Sequence, residues 1–142
     1  MSYSLIEKLY ANKPYLETID VLGRKVEFRV LSGQEEDEVL RASSANTYLE
    51  LLQARRIPTL ARAIKTIDGL EWKDFEEIKQ RLRSNTELTL AQAIEAELRQ
   101  SNYTEDVVSS FYLAYTDFKF RYRETLDNLK KNSTQPSPVT VG

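Results

Sequence analysis

Apolar and polar residues alternate strictly over one short stretch of this chain and recur at helical spacing over nearly all that follows. Val26, Phe28 and Val30 interleave with Lys25, Glu27 and Arg29, the period of two expected of a strand with one buried face. Ile19 and Val21 supply a matching apolar set upstream, and Gly23 stands between the two runs where a tight turn needs a positive φ. The pattern predicts a β-hairpin over Tyr15–Leu31. Two strands alone are marginally stable, so the hairpin must pack on helices or join a further sheet.

The rest of the pattern is helical. Ser4 to Asn12 predicts a short helix with Leu5, Ile6 and Leu9 on one side, ended by Asn12-Lys13-Pro14. Ser32 and Glu35 have capping-box spacing, and Glu35, Glu36, Asp37 and Glu38 crowd the first turns, where the helix dipole favours negative charge. A second helical stretch is expected from Thr47 to Ile67, carrying Leu49, Leu52, Leu60, Ile64 and Ile67. Pro58 should kink it or split it in two, and Gly69 should cap its end. Trp72, Phe75, Ile78 and Leu82 mark a third helix. Thr89 to Gln92 repeats the capping pattern before Leu90, Ala93, Ile94 and Leu98 of a fourth. A long last helix is expected from Thr104 to Lys131, with Tyr103 and Val108 as its hydrophobic staple. Asn132 to Gly142, with Pro136 and Pro138, reads as an extended tail. The expected fold is therefore α+β and mostly α. One domain spans 1–131 (hairpin 14–31, helical part 32–131), with the hairpin on about five helices, and a tail spans 132–142.

Composition narrows the function. With 142 residues, 41% apolar and 30% charged, the chain suits a single soluble domain. A net charge of -2 gives no overall basic footprint for nucleic acid or an anionic membrane. Cysteine and histidine are both absent. That removes thiol nucleophiles, the commonest general base and any conventional zinc site, and it suits a reducing compartment. The longest apolar run, Phe111 to Tyr115, is far too short to cross a membrane, and the first residues lack the blocks of a signal peptide. Glu35 to Glu38 is the one carboxylate-rich run, but consecutive helical residues fan out around the axis instead of converging on an ion. The glycines at 23, 33, 69 and 142 form no phosphate-cradling loop. The expectation is no enzyme activity, no cofactor, no metal, and residence in the cytoplasm.

The last helix carries the informative anomaly. It and its approach hold seven of the chain's fourteen aromatic residues. Val107, Phe111, Ala114, Phe118, Tyr122, Thr125 and Leu129 recur as one stripe, read as core. Tyr112, Tyr115 and Phe120 lie partly off it and are expected to face a partner, with Arg121 and Arg123 beside them. Lys119, Arg121, Arg123, Lys130 and Lys131 among these aromatics leave a second reading open, a small nucleic-acid-binding regulator.

From Pro14 to Leu70, 57 of the 142 residues, one string carries a resemblance. It runs Pro14-Tyr15, a hairpin turned at Gly23, Val26-x-Phe28-Arg29-Val30-Leu31-Ser32, Glu35-Glu36, and then Leu60-Ala61-x-Ala63-Ile64-x-x-Ile67-Asp68-Gly69. This resembles the small tail-assembly chaperones and baseplate hub assembly proteins of tailed bacteriophages. The resemblance implies an N-terminal hairpin with helices and no catalytic residues. It further implies a function in binding a larger tail or baseplate protein, in the host cytoplasm during assembly or as a resident subunit in the virion. A second copy of the chain is a further expected partner.

Overall fold

The structure, a computed structural model, describes residues 15–43, 47–100 and 105–134. The expected helix over Ser4–Asn12, the Tyr103 staple and the tail from 135 onward lie outside the described residues.

The hairpin is present as strands β1 (Leu16–Val21) and β2 (Arg24–Arg29), antiparallel, with Ile19 opposite Val26 and Glu17 opposite Phe28. Its turn places both Leu22 (φ 51°) and Gly23 (φ 83°) in the left-handed region. That is a type I′ turn, whose twist matches the strands it joins. Val26 and Phe28 are fully buried, and burial of a side chain of this size stabilises by about 1.5–3 kcal/mol. Val30 lies just past the strand, half-buried, and the neighbouring Leu31 takes a buried position.

Helix α1 (Gly33–Ala42) opens with the expected capping box, the Glu35 N–H donating to Ser32 Oγ at 3.2 Å and the Ser32 N–H to Glu35 Oε1 at 3.0 Å. The stretch expected as one interrupted helix divides into α2 (Tyr48–Ala54) and α3 (Arg56–Ala63). Pro58 therefore falls in the first turn of α3, where its missing N–H would have no intrahelical acceptor anyway.

Beyond Ala63 the expectation of helix to Ile67 is corrected. Ile64–Ile67 is strand β3, pairing antiparallel with β2, and Leu70–Glu71 is strand β4, which gives a four-stranded sheet in the order β1-β2-β3-β4. Asp68 (φ 52°) and Gly69 (φ 83°) form its second type I′ turn, so Gly69 closes a hairpin and caps no helix. Glu27 faces Thr66 while Phe28 faces Ile64, leaving Lys65 as the extra residue of a bulge. β-branched side chains at Ile64, Thr66 and Ile67 favour the pleated surface over a helical turn. Trp72, expected in the third helix, correspondingly lies outside its α-helical part. It begins a 3-10 turn (Trp72–Asp74) ahead of α4 (Glu76–Ser84).

Helix α5 (Leu90–Gln100) starts with mutual bonds between Thr89 and Gln92, at 3.2 and 3.0 Å. Helix α6 runs from Glu105 to Thr134, so Asn132–Thr134, expected in the tail, belong to the helix. It lays Tyr115 and Phe118 across the apolar face of the sheet, with Phe118 stacked on Phe28 at 5.8 Å between ring centroids. Helix α3 is common to both halves of the core. Leu60 and Ala63 join the sheet–α6 cluster, while Ala61 joins Ile78, Ala93 and Ile94 in a second cluster with α4 and α5.

Candidate docking site on the C-terminal helix

Helix α6 is anchored along one side and bare along the other. Phe118 is fully buried, Tyr115 is only 4% exposed, and Phe111, Tyr112 and Ala114 pack partly against the same core. On the opposite side Leu113 and Phe120, seven residues apart and hence on one face, are 64% and 63% exposed. Large apolar side chains left in water on a helix seated along its other side cost free energy in isolation, which makes this face a candidate interaction surface.

The residues expected to face a partner separate by place. Phe120 does project outward. Tyr115 does not, and the expectation for it is corrected: four residues after Phe111 and three before Phe118, it lies about 40° from the first and about 60° from the second around the helix axis, within the buried arc. Its ring sits 6.1 Å from that of Phe28. Burial, with Glu36 and Tyr112 nearby, raises the Tyr115 hydroxyl to about 12, against the lowering pull of Arg55 and Arg123. Tyr112 is half-buried, with the guanidinium of Arg56 over its ring at 6.0 Å. Arg121 turns away from the outer face and binds Glu17 on β1 through Nε at 3.1 Å and Nη2 at 2.8 Å. Its pKa is raised by that bond. It is a strut between helix and sheet. Arg123 is exposed and lines a groove that also takes in Phe120 and Tyr112.

That groove, about 350 Å³, lies between α1, the α2–α3 junction and α6. Leu31, Val39 and Tyr115 contribute its apolar part, and Arg55, Lys119, Arg123 and Glu36 its charge. Lys119 and Glu36 pair at 3.2 Å. In the sequence Arg55 stands near Arg56, Arg62 and Lys65, and the fold disperses these basic residues. Arg56 bonds Ser109 at 2.8 Å, Arg62 bonds Glu95 at 2.7 Å, and Lys65 is exposed on the bulge. Leu113 carried no sequence signal, because an isolated leucine inside an aromatic run reads as core until the helix is seated.

The acidic run at the start of α1 fans out. Glu35 pairs with Arg29 on β2, Glu36 with Lys119 on α6, and Glu38 with Arg62 on α3. Among the described residues no group of three or more carboxylates is placed to hold a metal ion, and no helix is long and apolar enough to cross a membrane. A larger, mostly apolar concavity of about 640 Å³ lies at the other end of the sheet, lined by Leu22, Leu70, Trp72, Phe75 and Phe111.

No protein-family description, curated protein or solved structure matches this chain.

Proposed function

We propose that this chain is a non-enzymatic assembly protein of a bacteriophage tail or baseplate, which binds a larger tail protein through the outer side of α6. The observation that carries the docking reading is the pair Leu113 and Phe120, exposed on a helix whose other side is held by the sheet and α3. A helix fixed in this way presents its apolar side chains with little ordering cost on binding. A buried aromatic anchor that acts as a hot spot, the role proposed for Phe120, contributes about 2 kcal/mol or more.

The resemblance of Pro14–Leu70 to tail-assembly chaperones supports the kind of partner. Its Ile67-Asp68-Gly69 ending falls at the end of strand β3 and in the second hairpin turn. An assembly chaperone in the host cytoplasm covers a partner surface until assembly and then leaves, whereas a resident subunit stays.

Purification of complexes from infected cells, with mass spectrometry of both complexes and washed mature particles, tests the proposal. The expected result is a stable complex with one large tail or baseplate protein and absence from the washed particle. Presence in the particle makes the chain a resident subunit. Recovery with nucleic acid and no tail protein overturns the reading.

A further inference from the structure

Resting on the docking reading above, the groove beside Phe120 narrows the chemistry of the partner. Of its four charged side chains, Lys119 and Glu36 neutralise one another at 3.2 Å. Arg55 and Arg123 form no ion pair among the described residues. Arg55 is fixed at the junction of α2 and α3, its backbone N–H bonded to the Leu51 carbonyl at 3.1 Å. Its Nε is buried without an acceptor. A partly buried guanidinium with no ion-pair partner gains more from an added carboxylate than one in bulk solvent. Among the described residues the groove thus carries two positive charges without an ion-pair partner, on a chain whose net charge is -2. Beside them stands the exposed ring of Phe120.

We propose that this groove takes an acidic segment of a partner protein, with a carboxylate set between Arg55 and Arg123 and the next apolar side chain against Phe120. Charge complementarity favours a peptide over a nucleic-acid strand. A continuous phosphate backbone would have to pass Asp117 and Glu124, both exposed on the outer side of α6 around Phe120. A single carboxylate followed by an apolar residue fits the short groove without meeting them.

The test uses the full chain with isotope-labelled arginine and three probes: acetyl-Ser-Gly-Asp-Phe-Gly-Ser-amide, its Asn counterpart, and a short oligo-dT. The expected result is a saturable shift of the Arg55 and Arg123 side-chain signals with the acidic peptide. Affinity should fall roughly tenfold or more for the amide peptide, and equally for Arg123→Gln, the loss of one charge-assisted hydrogen bond. Arg121→Gln, whose partner is Glu17, should leave binding unchanged. No saturable shift, equal shifts with both peptides, or tighter binding of the oligonucleotide would overturn the proposal. Leu113 does not line the groove, so the two readings separate. If Leu113→Glu abolishes capture of the tail protein while the acidic peptide fails to bind, the docking face stands and only the groove's ligand is wrong. If the peptide binds and Leu113→Glu leaves capture intact, the groove stands and the outer face falls.

Discussion

The carboxylate of Asp68 accepts the Lys25 backbone N–H at 2.9 Å and Arg24 Nη1 at 2.8 Å, while the Asp68 N–H donates to the Lys25 carbonyl at 2.7 Å. One residue of the second hairpin turn thereby pins the end of the first. The Lys25 N–H bond, then that of Arg24, holds the Asp68 carboxyl below the usual carboxylate range. Burial pushes the Glu35 carboxyl up, but bonds from Arg29 and Ser32 outweigh it and leave it lowered too. A carboxyl lowered in the folded state binds fewer protons there than when unfolded, so its contribution to stability is complete above the unfolded value. That contribution is lost as pH falls from about 4 through the lowered values. Urea melts of the wild type should lose stability steeply below that point. Asp68→Asn, which keeps an acceptor oxygen but does not titrate, should show a shallower loss, and an identical acid limb would contradict the assignment. Leu22 offers a second residue-scale test. A leucine with φ 51° is held where asparagine or glycine sits more comfortably, and it is largely exposed. Leu22→Asn should raise stability by about 1 kcal/mol in the same melts, the order of cost of the left-handed region for an ordinary residue.

Helix α3 works as the element that joins everything else. Its Arg62, with a side chain 9% exposed, bonds Glu38 of α1 at 3.1 Å, the Pro58 carbonyl at 3.0 Å and Glu95 of α5 at 2.7 Å. Glu95 is itself 6% exposed on its side chain and has only the longer contact to Arg99, at 3.5 Å, besides Arg62, so removing either partner strips a buried charge of its shortest ion pair. Glu95→Ala should therefore cost about 3–5 kcal/mol, whereas Arg62→Met combined with Glu95→Leu should recover most of that loss. Thermal and urea melts of the three variants decide it, and additive losses in the double variant would show that the pair is not coupled. Such a network is invisible in the sequence, because Arg62 and Glu95 are 33 positions apart and each looks like an ordinary surface charge. Elements with a strict local period were legible: the first hairpin, the Ser32 and Thr89 caps, and the long last helix. Strands β3 and β4 were not legible as strands. Ile64 and Ile67 fall three apart and satisfied a helical period, so the helix pattern of Leu60–Ile64 ran on through them. The competing signal was a β-branched run closed by Asp68-Gly69, the dipeptide that a type I′ turn prefers. At the site, residues that point outward from the helix axis, such as Phe120, were legible from spacing. Tyr115 and Arg121 were not, because the width of the buried arc and the position of Glu17 are set by how α6 lies on the sheet.

At the scale of the whole molecule, the sheet, α3 and α6 form a scaffold whose stability does not depend on the outer side of α6. Surface changes away from packed features usually alter stability by within about 0.5 kcal/mol. Leu113 and Phe120 should therefore be separable from the fold, whereas Tyr115 and Phe118 should not. A buried aromatic truncated to alanine typically costs about 3–5 kcal/mol. The most direct measurement takes Leu113→Ala, Phe120→Ala and Phe118→Ala. It compares thermal unfolding by circular dichroism with retention of the large tail protein from infected-cell extract. The account predicts wild-type melting but a loss of retention worth about 2 kcal/mol or more for Phe120→Ala, a smaller loss for Leu113→Ala, and a clear drop in melting for Phe118→Ala. Full retention by both outer-face variants, or unfolding of all three alike, would contradict it.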